Sequence, residues 1–370
     1  MRVLMTGGGT GGHINPAIAI ANTIKTNIPD AQIAFVGTKH GKEVDLVPRA
    51  GYELYFVEIQ GIRRSLSWQN LKTAWYVMTA PAKAKKLIKE FNPDIVIGTG
   101  GYACWPTLKA ASQLGIPTMV HESNALPGLA VRKLQNQVDK ILINFDETKN
   151  KLNADPQKII RVGNPLRYGF ENIGSQAAKK KLNIEKYKQT VISVGGSLGA
   201  QKMNSSALEL MRKISDNPDI LYMHATGVRY YEEMLSTLRS EGLDKCENII
   251  LCDYIHDMPF WMAAADVVIS RAGAMTISEL ALMSKASILI PSPNVTDNHQ
   301  YKNAKVLADA DAAILIEESE LVNNYFSDIV LNLLNDNNRK NILGSNISKF
   351  ADADVNRRIY DEIIKLTDKK

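Results

Sequence analysis

RVLMTGGGTGGH, residues 2–13, is the stretch that decides the fold. Its first four residues predict a short buried strand. Five of the six residues 7–12 are glycines, which lack a Cβ atom and let the backbone approach a ligand closely. Pro16 predicts the first turn of the helix that follows. Strand, glycine loop and helix N-terminus together favour an anion, because unpaired N–H groups and the positive end of the helix dipole face the same point.

The same glycines fit the G-x-G-x-x-G pattern of dinucleotide-binding folds at Gly7, Gly9 and Gly12. In those folds an acid after the second strand binds the ribose, whereas here the second strand, 31–36, leads into GTK at 37–39. The pattern alone therefore does not establish a dinucleotide site. The structural alternative is a glycine turn that only allows a helix to pack closely on a strand.

Length and composition indicate a soluble protein of two domains. The chain has 370 residues, more than one typical domain, with 45% hydrophobic and 22% charged residues and a net charge of +5. Its three cysteines have neither disulfide nor zinc-site spacing, and the opening residues show no signal-peptide pattern. No apolar run approaches the roughly 20 residues that span a bilayer. Any membrane role is therefore expected to be peripheral, and no nucleic-acid partner is expected.

Strand-like runs alternate with helical runs through the first half of the chain, at 54–59, 95–97, 118–120, 141–143 and 159–162. This alternation predicts a parallel sheet covered by helices on both faces. Ligands of such sheets bind beyond the carboxyl ends of the strands. The residues that follow the strands, GTGGY at 98–102 and HESN at 121–124, are therefore candidates for a site.

The second half of the chain restarts like the first, with a strand at 190–194 and the glycine loop GGSLGA at 195–200. We therefore predict an α/β protein with two Rossmann-like, doubly wound domains that face each other across a cleft. The predicted domains are 1–164 and 165–349. The C-terminal helix, about residues 350–370, is expected to pack back on the first domain.

Two anion loops favour transfer of a sugar from a nucleotide diphosphate. Helix N-terminal amides, together with Arg167 or Arg271, would stabilise the leaving diphosphate without a metal. The Asp-x-Asp pairs at 309–311 and 352–354 are expected on the surface. Neither a metal nor a cofactor is predicted.

His13 is the candidate general base, because a histidine with an ordinary pKa of about 6.5 accepts a proton near neutral pH. The alternative is that His13 only braces the loop. Glu279 either accepts from ribose hydroxyls or is a first-turn carboxylate favoured by the helix dipole. Asn124 and Gln300 offer amides suited to sugar hydroxyls or an N-acetyl group. Three further histidines are expected to brace loops, and no ligand role is predicted for them: His121, His256 and His299.

The segment 60–90 carries seven basic residues against one acid, with Trp68, Leu71, Trp75 and Met78 at helical spacing. One interpretation is an amphipathic core helix with a solvated basic face. The other is a surface that contacts anionic lipid headgroups. Within this segment, Pro81 is expected to begin, end or kink a helix.

Seven motifs follow one another along the chain: GGGTGGH at 7–13, GGY at 100–102, HESN at 121–124, GNPLR at 163–167, GGSLGA at 195–200, SRAGAMTISE at 270–279 and DNHQYKNA at 297–304. In that order they resemble the MurG family of glycosyltransferases, glycosyltransferase family 28, over essentially the whole chain. The resemblance implies a GT-B fold. It also implies an inverting, metal-independent transfer of N-acetylglucosamine from UDP-N-acetylglucosamine to the muramoyl 4-hydroxyl of undecaprenyl-diphospho-muramoyl-pentapeptide (lipid I), giving lipid II.

That reaction belongs to peptidoglycan synthesis, and so to cell-wall biogenesis, cell shape and cell division. The resemblance further implies a peripheral enzyme on the cytoplasmic face of the inner membrane. Its expected partners are UDP-N-acetylglucosamine, lipid I, an anionic membrane surface and other cell-wall synthesis proteins.

The resemblance also assigns residues. Donor-binding positions are Thr10, Gly11, Gly12, Asn124, Arg167, Ser197, Ile255, Ala274, Met275, Thr276, Ile277, Ser278, Glu279 and Gln300, with the Ile255 backbone on uracil and Glu279 on the ribose. Positions for the acceptor diphosphate are Gly9, Gly100, Gly101 and Tyr102. The membrane-facing patch comprises Ile62, Arg63, Arg64, Leu66, Trp68 and Trp75.

Four alternatives stay open at the level of sequence. A UDP-N-acetylglucosamine 2-epimerase binds the same donor between two such domains, although it has no use for the basic 60–90 segment. Another GT-B glycosyltransferase acting on a glycolipid would need similar loops. The missing acid near Lys39 argues against a dinucleotide-dependent oxidoreductase. A non-catalytic sugar-nucleotide-binding protein differs only in lacking turnover.

Overall fold

The computed structural model describes residues 1–59, 68–166, 170, 173–196, 199–352 and 354–368, and gives the backbone alone at 68–75, 77, 78 and 296. The chain divides into two compact units. Unit 1 comprises Met1–Arg167 and Asp352–Lys370, and unit 2 comprises Tyr168–Ala351. The sequence placed these boundaries after residue 164 and near residue 350.

Unit 1 contains a parallel sheet of seven strands in the order β3-β2-β1-β4-β5-β6-β7. The strands are β1 (Arg2–Thr6), β2 (Gln32–Gly37), β3 (Glu53–Phe56), β4 (Ile95–Gly98), β5 (Thr118–Glu122), β6 (Lys140–Ile143) and β7 (Ile159–Arg161). The helices are α1 (Gly11–Asn27), α2 (Glu43–Arg49), α3 (Trp68–Phe91), α4 (Cys104–Gln113), α5 (Leu129–Leu134), α6 (Asp146–Lys149) and, from the end of the chain, α15 (Val355–Thr367).

Unit 2 contains a parallel sheet of six strands in the order β10-β9-β8-β11-β12-β13. The strands are β8 (Gln189–Val194), β9 (Ile220–Ala225), β10 (Ile249–Cys252), β11 (Val267–Ser270), β12 (Ser287–Leu289) and β13 (Ile314–Leu315). The helices are α7 (Ser175–Lys181), α8 (Gln201–Ile214), α9 (Tyr231–Glu241), α10 (Met258–Ala264), α11 (Ala274–Leu282), α12 (His299–Asp309), α13 (Tyr325–Asn335) and α14 (Asn337–Ser348).

Both sheets reverse their strand order at the same relative place. In unit 1 the first strand lies between β2 and β4, and in unit 2 the strand β8 lies between β9 and β11. Ligands of doubly wound sheets bind at this switch point, beyond the carboxyl ends of the strands. The glycine loops of residues 7–12 and 195–200, here called loop 1 and loop 2, follow the central strands β1 and β8. The predicted pair of Rossmann-like α/β folds is confirmed.

The strand β1 is buried on both faces, which explains its continuous apolar sequence. Val3 and Met5 pack with α1 and α15, whereas Leu4 packs in a separate cluster that includes α4. From α15, Val355, Ile359 and Ile363 enter the first of these clusters. The C-terminal helix thus completes the core beside α1.

The prediction that Pro16 lies in the first turn of α1 was wrong. Helix α1 begins at Gly11, so Pro16 is its sixth residue and not part of its first turn. The missing N–H of Pro16 leaves the Gly12 carbonyl without its helical donor, which is tolerated because Gly12 is exposed to water. Pro81 lies inside α3, which excludes the beginning and the end of a helix there and leaves the kink as a prediction. Asp352 is also not a surface residue: its side chain is 9% exposed and pairs with Arg358.

Candidate functional site

Loop 1 and the glycines after β4 pack backbone against backbone in unit 1. Gly8 N–H donates to Gly100 O over 3.3 Å. A Cβ atom on Gly101 would lie 2.1 Å from Gly8 O, and Gly101 has a φ of +84°, so only glycine fits there. Tyr102 lies beside Gly9 and is 51% exposed. The predicted acceptor positions Gly9, Gly100, Gly101 and Tyr102 thus lie close together, with Gly100 itself buried.

His13 lies in the first turn of α1, where Thr99 holds it at two points. Its Nδ1 lies 3.0 Å from Thr99 O, and Thr99 Oγ1 donates to His13 O over 2.7 Å. A carbonyl oxygen can only accept, so Nδ1 carries the hydrogen. Nε2 of the neutral ring is then the unprotonated nitrogen. His13 therefore braces the loop and also presents a nitrogen able to take a proton, so the two interpretations are compatible.

A fully buried carboxylate supports loop 1, and the sequence did not reveal it. Glu43 Oε2 accepts from Gly9 N–H over 2.8 Å. Its Oε1 accepts from Thr38 N–H over 2.8 Å and from Thr38 Oγ1 over 2.7 Å. The acid near the second strand is therefore present, but it binds loop backbone. The Gly9 N–H already donates to Glu43, so it is not available to hydrogen-bond the acceptor substrate. Gly9 can contribute to that site only because it has no side chain and lets the substrate approach the backbone.

The next three amides of loop 1 lie at the start of α1. In the described part of the chain, the N–H groups of Thr10, Gly11 and Gly12 make no hydrogen bond. Thr10 and Gly12 are exposed. These amides, at the positive end of a 17-residue helix, can bind an anionic oxygen.

Asn124 is held by a second buried acid, Glu122, at the carboxyl end of β5. Glu122 Oε1 accepts from Asn124 N–H and Nδ2, over 2.9 and 3.1 Å, and its Oε2 accepts from Gly128 N–H over 2.7 Å. Burial raises the pKa of the Glu122 carboxyl, against the lowering effect of these donors. Nε2 of buried His121 donates to Gly163 O over 2.8 Å, because a carbonyl oxygen can only accept. His121 is thus a brace, and burial lowers its pKa to about 4.

In unit 2, a chain of neutral hydrogen bonds lies beneath loop 2. Ser193 Oγ lies 2.7 Å from Tyr222 OH and 2.6 Å from His224 Nδ1. His224 Nε2 donates to Asn204 Oδ1 over 3.1 Å, and Asn204 Nδ2 donates to Thr226 O. Burial lowers the pKa of His224 to about 3, so the ring is neutral. A Cβ atom on Gly199 would lie 2.1 Å from Thr226 O, the carbonyl that accepts from Asn204. Gly199 of loop 2 therefore packs directly against this network.

Helix α11 carries six of the fourteen predicted donor residues: Ala274, Met275, Thr276, Ile277, Ser278 and Glu279. It begins directly after Gly273, close to the carboxyl end of β11, so its N-terminal amides lie at the switch point. Glu279 is its sixth residue and is 3% exposed. The first-turn interpretation of Glu279 was therefore wrong. A buried carboxylate on this helix is compatible with ribose binding.

Ile255 follows β10, with its side chain buried. Within the described residues its backbone N–H and C=O make no hydrogen bond, so both remain able to pair with a base edge. Gln300, the second residue of α12, accepts from Ser292 N–H through Oε1 over 2.8 Å, which orients its amide nitrogen.

Arg271 does not serve the diphosphate as predicted. Its Nη1 donates to Ile290 O and Pro291 O, each over 3.1 Å, and its Nη2 pairs with Glu318. With side chains only 14% and 16% exposed, Arg271 and Glu318 form a structural pair. The guanidinium is therefore already occupied.

Several predicted residues lie outside the described ones: Ile62, Arg63, Arg64, Leu66, Arg167 and Ser197. Trp68 and Trp75 lie on α3, with the backbone alone described. In the described ranges, no helix is both long and apolar enough to span a bilayer. The same ranges contain no group of three or more potential metal-ligating side chains.

Comparison with known families covers both units. The model of the glycosyltransferase family 28 N-terminal domain matches residues 3–143, and that of the family 28 C-terminal domain matches residues 190–358. These ranges contain loop 1 with His13 in one unit and loop 2 with α11 in the other.

Curated relatives align over nearly the full chain. A UDP-N-acetylglucosamine–N-acetylmuramyl-(pentapeptide) pyrophosphoryl-undecaprenol N-acetylglucosamine transferase of Acetivibrio thermocellus is 41% identical over 365 residues, covering 99% of this chain and 98% of that protein. A protein of the same name from Bacteroides thetaiotaomicron is 39% identical over 370 residues, covering 100% and 98%.

Solved structures agree with the predicted fold class. The crystal structure of Acinetobacter baumannii MurG matches with a TM-score of 0.76 and 26% identity, covering 98% of this chain and 99% of that one. This likeness confirms the predicted GT-B fold. A UDP-GlcNAc 2-epimerase from Neisseria meningitidis matches with a TM-score of 0.64 at 13% identity, covering 99% and 100%, which shows the fold alone.

Proposed function

This chain belongs to the MurG family, within glycosyltransferase family 28, and from that membership we propose that it transfers N-acetylglucosamine from UDP-N-acetylglucosamine to N-acetylmuramyl-(pentapeptide) pyrophosphoryl-undecaprenol. The attacking group is the 4-hydroxyl of the muramoyl sugar, and the anomeric centre inverts. The products are lipid II, a precursor of peptidoglycan, and UDP.

The observation that carries this proposal is the fixed orientation of His13. With Nδ1–H bonded to Thr99 O, Nε2 takes the proton of the acceptor hydroxyl. The resulting oxygen attacks the anomeric carbon while the bond to the β-phosphate oxygen breaks, and UDP leaves with the electron pair. General-base assistance of this kind contributes about 10²- to 10⁴-fold.

Unit 2 supplies most of the donor contacts. The N-terminal amides of α11, with Arg167, stabilise the charge that develops on the leaving diphosphate, Glu279 accepts from the ribose hydroxyls, and the Ile255 backbone pairs with uracil. Asn124 and Gln300 bind the sugar. The further donor-binding positions are Ser197, Thr10, Gly11 and Gly12. In unit 1, the positions Gly9, Gly100, Gly101 and Tyr102 receive the acceptor diphosphate.

The direct experiment uses radiolabelled UDP-N-acetylglucosamine and a short-chain analogue of lipid I. Labelled product of the lipid II type is expected from the purified protein, and none is expected when the acceptor is omitted. Absence of product, in an assay where a known transferase is active, would contradict the proposal. Formation of the 2-epimer without acceptor would instead identify an epimerase.

The acceptor is lipid-linked, so we place the protein peripherally on the cytoplasmic face of the cell membrane. The 60–90 segment provides the anionic-lipid contact, with its basic residues and the patch of Ile62, Arg63, Arg64, Leu66, Trp68 and Trp75. Lys83 and Lys86 on α3 are 54% and 80% exposed. Reversing the charge of Arg63 and Arg64 is expected to weaken co-sedimentation with anionic vesicles. Reversing Lys186 and Lys188 in unit 2 is the charge-matched control, and equal binding by both variants would reject the patch.

A further inference from the structure

Glu43 occupies a site that three glycines make possible. A Cβ atom on Gly41 would lie 2.0 Å from Glu43 Oε2, one on Gly37 would lie 2.6 Å from its Cγ, and one on Gly8 would lie 2.9 Å from its Oε1. Each distance is shorter than any tolerable contact. The side chain is 0% exposed. Three separate positions are therefore kept free of side-chain atoms so that one carboxylate fits behind loop 1.

The charge of this carboxylate is balanced by hydrogen-bond donors and not by a cation. Among the described residues, no lysine, arginine or histidine forms an ion pair with Glu43. Its partners are two backbone N–H groups and one hydroxyl, on Gly9 and Thr38. Glu43 is also the first residue of α2, where the helix dipole favours a negative charge. These three donors point at both carboxylate oxygens and so hold the Glu43 side chain in a single orientation.

The bond to Gly9 connects two elements of the transfer site. Gly9 has a φ of +87°, and the next residue, Thr10, is the N-cap of α1. His13 follows three residues after Thr10 and is the third residue of that helix. Fixing Gly9 therefore fixes where α1 begins, and with it the direction of its free amides and of the His13 ring.

We propose that Glu43 is a positioning residue of the transfer reaction: its carboxylate locks loop 1 so that His13 and the first amides of α1 meet the acceptor. The kinetic consequence rests on the function proposed above. The structural consequence, a locked loop, does not.

Glu43→Gln is the sharpest variant, because an amide has one accepting oxygen where the site needs two. Whichever way it is turned, its NH₂ group faces an N–H donor, either on Gly9 or on Thr38. We expect amide hydrogen exchange at Gly8 and Gly9 to quicken roughly ten- to a hundred-fold, the range for losing a hydrogen bond to a charged group. Asp45→Asn is the matched control, since Asp45 lies on the same helix with a side chain 61% exposed.

The kinetic arm separates positioning from general stability. For Glu43→Gln, in protein that unfolds cooperatively, we expect an acceptor KM raised roughly tenfold or more and a smaller rise in the donor KM, because Thr10, Gly11 and Gly12 are predicted donor positions. A merely structural role would lower the active fraction, and so kcat, while both KM values stay constant. Unchanged exchange at Gly8 and Gly9, or equal changes in both KM values, would overturn the proposal.

Thr38→Val keeps the test open if Glu43→Gln does not fold. It removes the hydroxyl donor to Oε1 and leaves the Gly9 bond in place. A smaller rise in exchange and in acceptor KM, in the same directions, is expected, and no change in either would count against the role of Glu43. If loop exchange quickens but the wild type transfers no sugar, the locked loop stands and the proposed function fails.

Discussion

Loop 1 and loop 2 follow equivalent strands in sheets of the same order, yet side chains of different charge support them. Behind loop 1 lies the carboxylate of Glu43, which consumes the Gly9 N–H. Beneath loop 2 lies the neutral network of Ser193, Tyr222 and His224. We propose a diphosphate ligand for both loops, that of the acceptor at loop 1 and that of the nucleotide at loop 2 and α11. The comparison therefore separates two ways of supporting a loop, a charged side chain behind loop 1 and a neutral network beneath loop 2, and not two charges of ligand.

The largest expected effect is in loop 1. His13→Ala should lower kcat by about 10²- to 10⁴-fold, the contribution of a general base, while UDP affinity measured by calorimetry stays within error. His40→Ala is the control, because His40 is exposed in the same unit. If His13→Ala weakened UDP binding as much as turnover, the division of roles between the loops would be wrong.

The next effect concerns unit 2. Glu279→Gln should weaken UDP binding by roughly 10- to 100-fold, the range for a hydrogen bond to a charged group. The loss of affinity from UDP to 2′-deoxy-UDP should be large in the wild type and small in the variant, because the accepting carboxylate is already gone. An equal loss of affinity in the wild type and in the variant would show that Glu279 does not bind the 2′-hydroxyl.

The smallest effect is in stability at acid pH. His224 and His121 have folded pKa values of about 3 and 4, below the unfolded value of 6.5. The unfolded chain therefore binds more protons below pH 6.5, and the free energy of unfolding falls by about 1.4 kcal/mol per pH unit for each histidine as the pH drops towards the folded values. Urea unfolding between pH 7.5 and 5 measures this slope.

In that experiment, His224→Gln should reduce the slope, and His40→Gln should leave it unchanged. The raised pKa of the Glu122 carboxyl has the opposite sign, since the folded state then holds the extra proton. The contribution of His224 is therefore measured as the difference in slope between the variant and the wild type, in which the Glu122 effect cancels. A slope in His224→Gln identical to the wild type would contradict a neutral, acid-sensitive support beneath loop 2.

The sequence predicted the repeating strand and helix pattern because buried parallel strands are continuously apolar. It also located both loops, since five glycines among residues 7–12 have few other uses. It did not predict the start of α1, because propensity placed Pro16 in a first turn, whereas tertiary packing begins the helix at Gly11. The amides that face an anion are therefore those of the loop itself.

The supports of the site lay beyond sequence reasoning because they join distant residues. Glu43 and Gly9 are 34 positions apart, and His13 and Thr99 are 86 apart. No periodicity or motif connects such pairs. The only available signal for Glu43 was the pair of glycines at 37 and 41, whose purpose is clear only once the carboxylate is placed between them. Arg271 failed for the same reason, since its partner Glu318 is remote in sequence.

The return of α15 to unit 1 has a consequence for how the protein is made. Val355, Ile359 and Ile363 complete the core beside α1, but they are synthesised after all of unit 2. As the chain leaves the ribosome, unit 2 can close first, while the apolar side of α1 waits uncovered. The part translated first is therefore the part that finishes folding last, and in that interval a nascent chain is exposed to aggregation and chaperone binding.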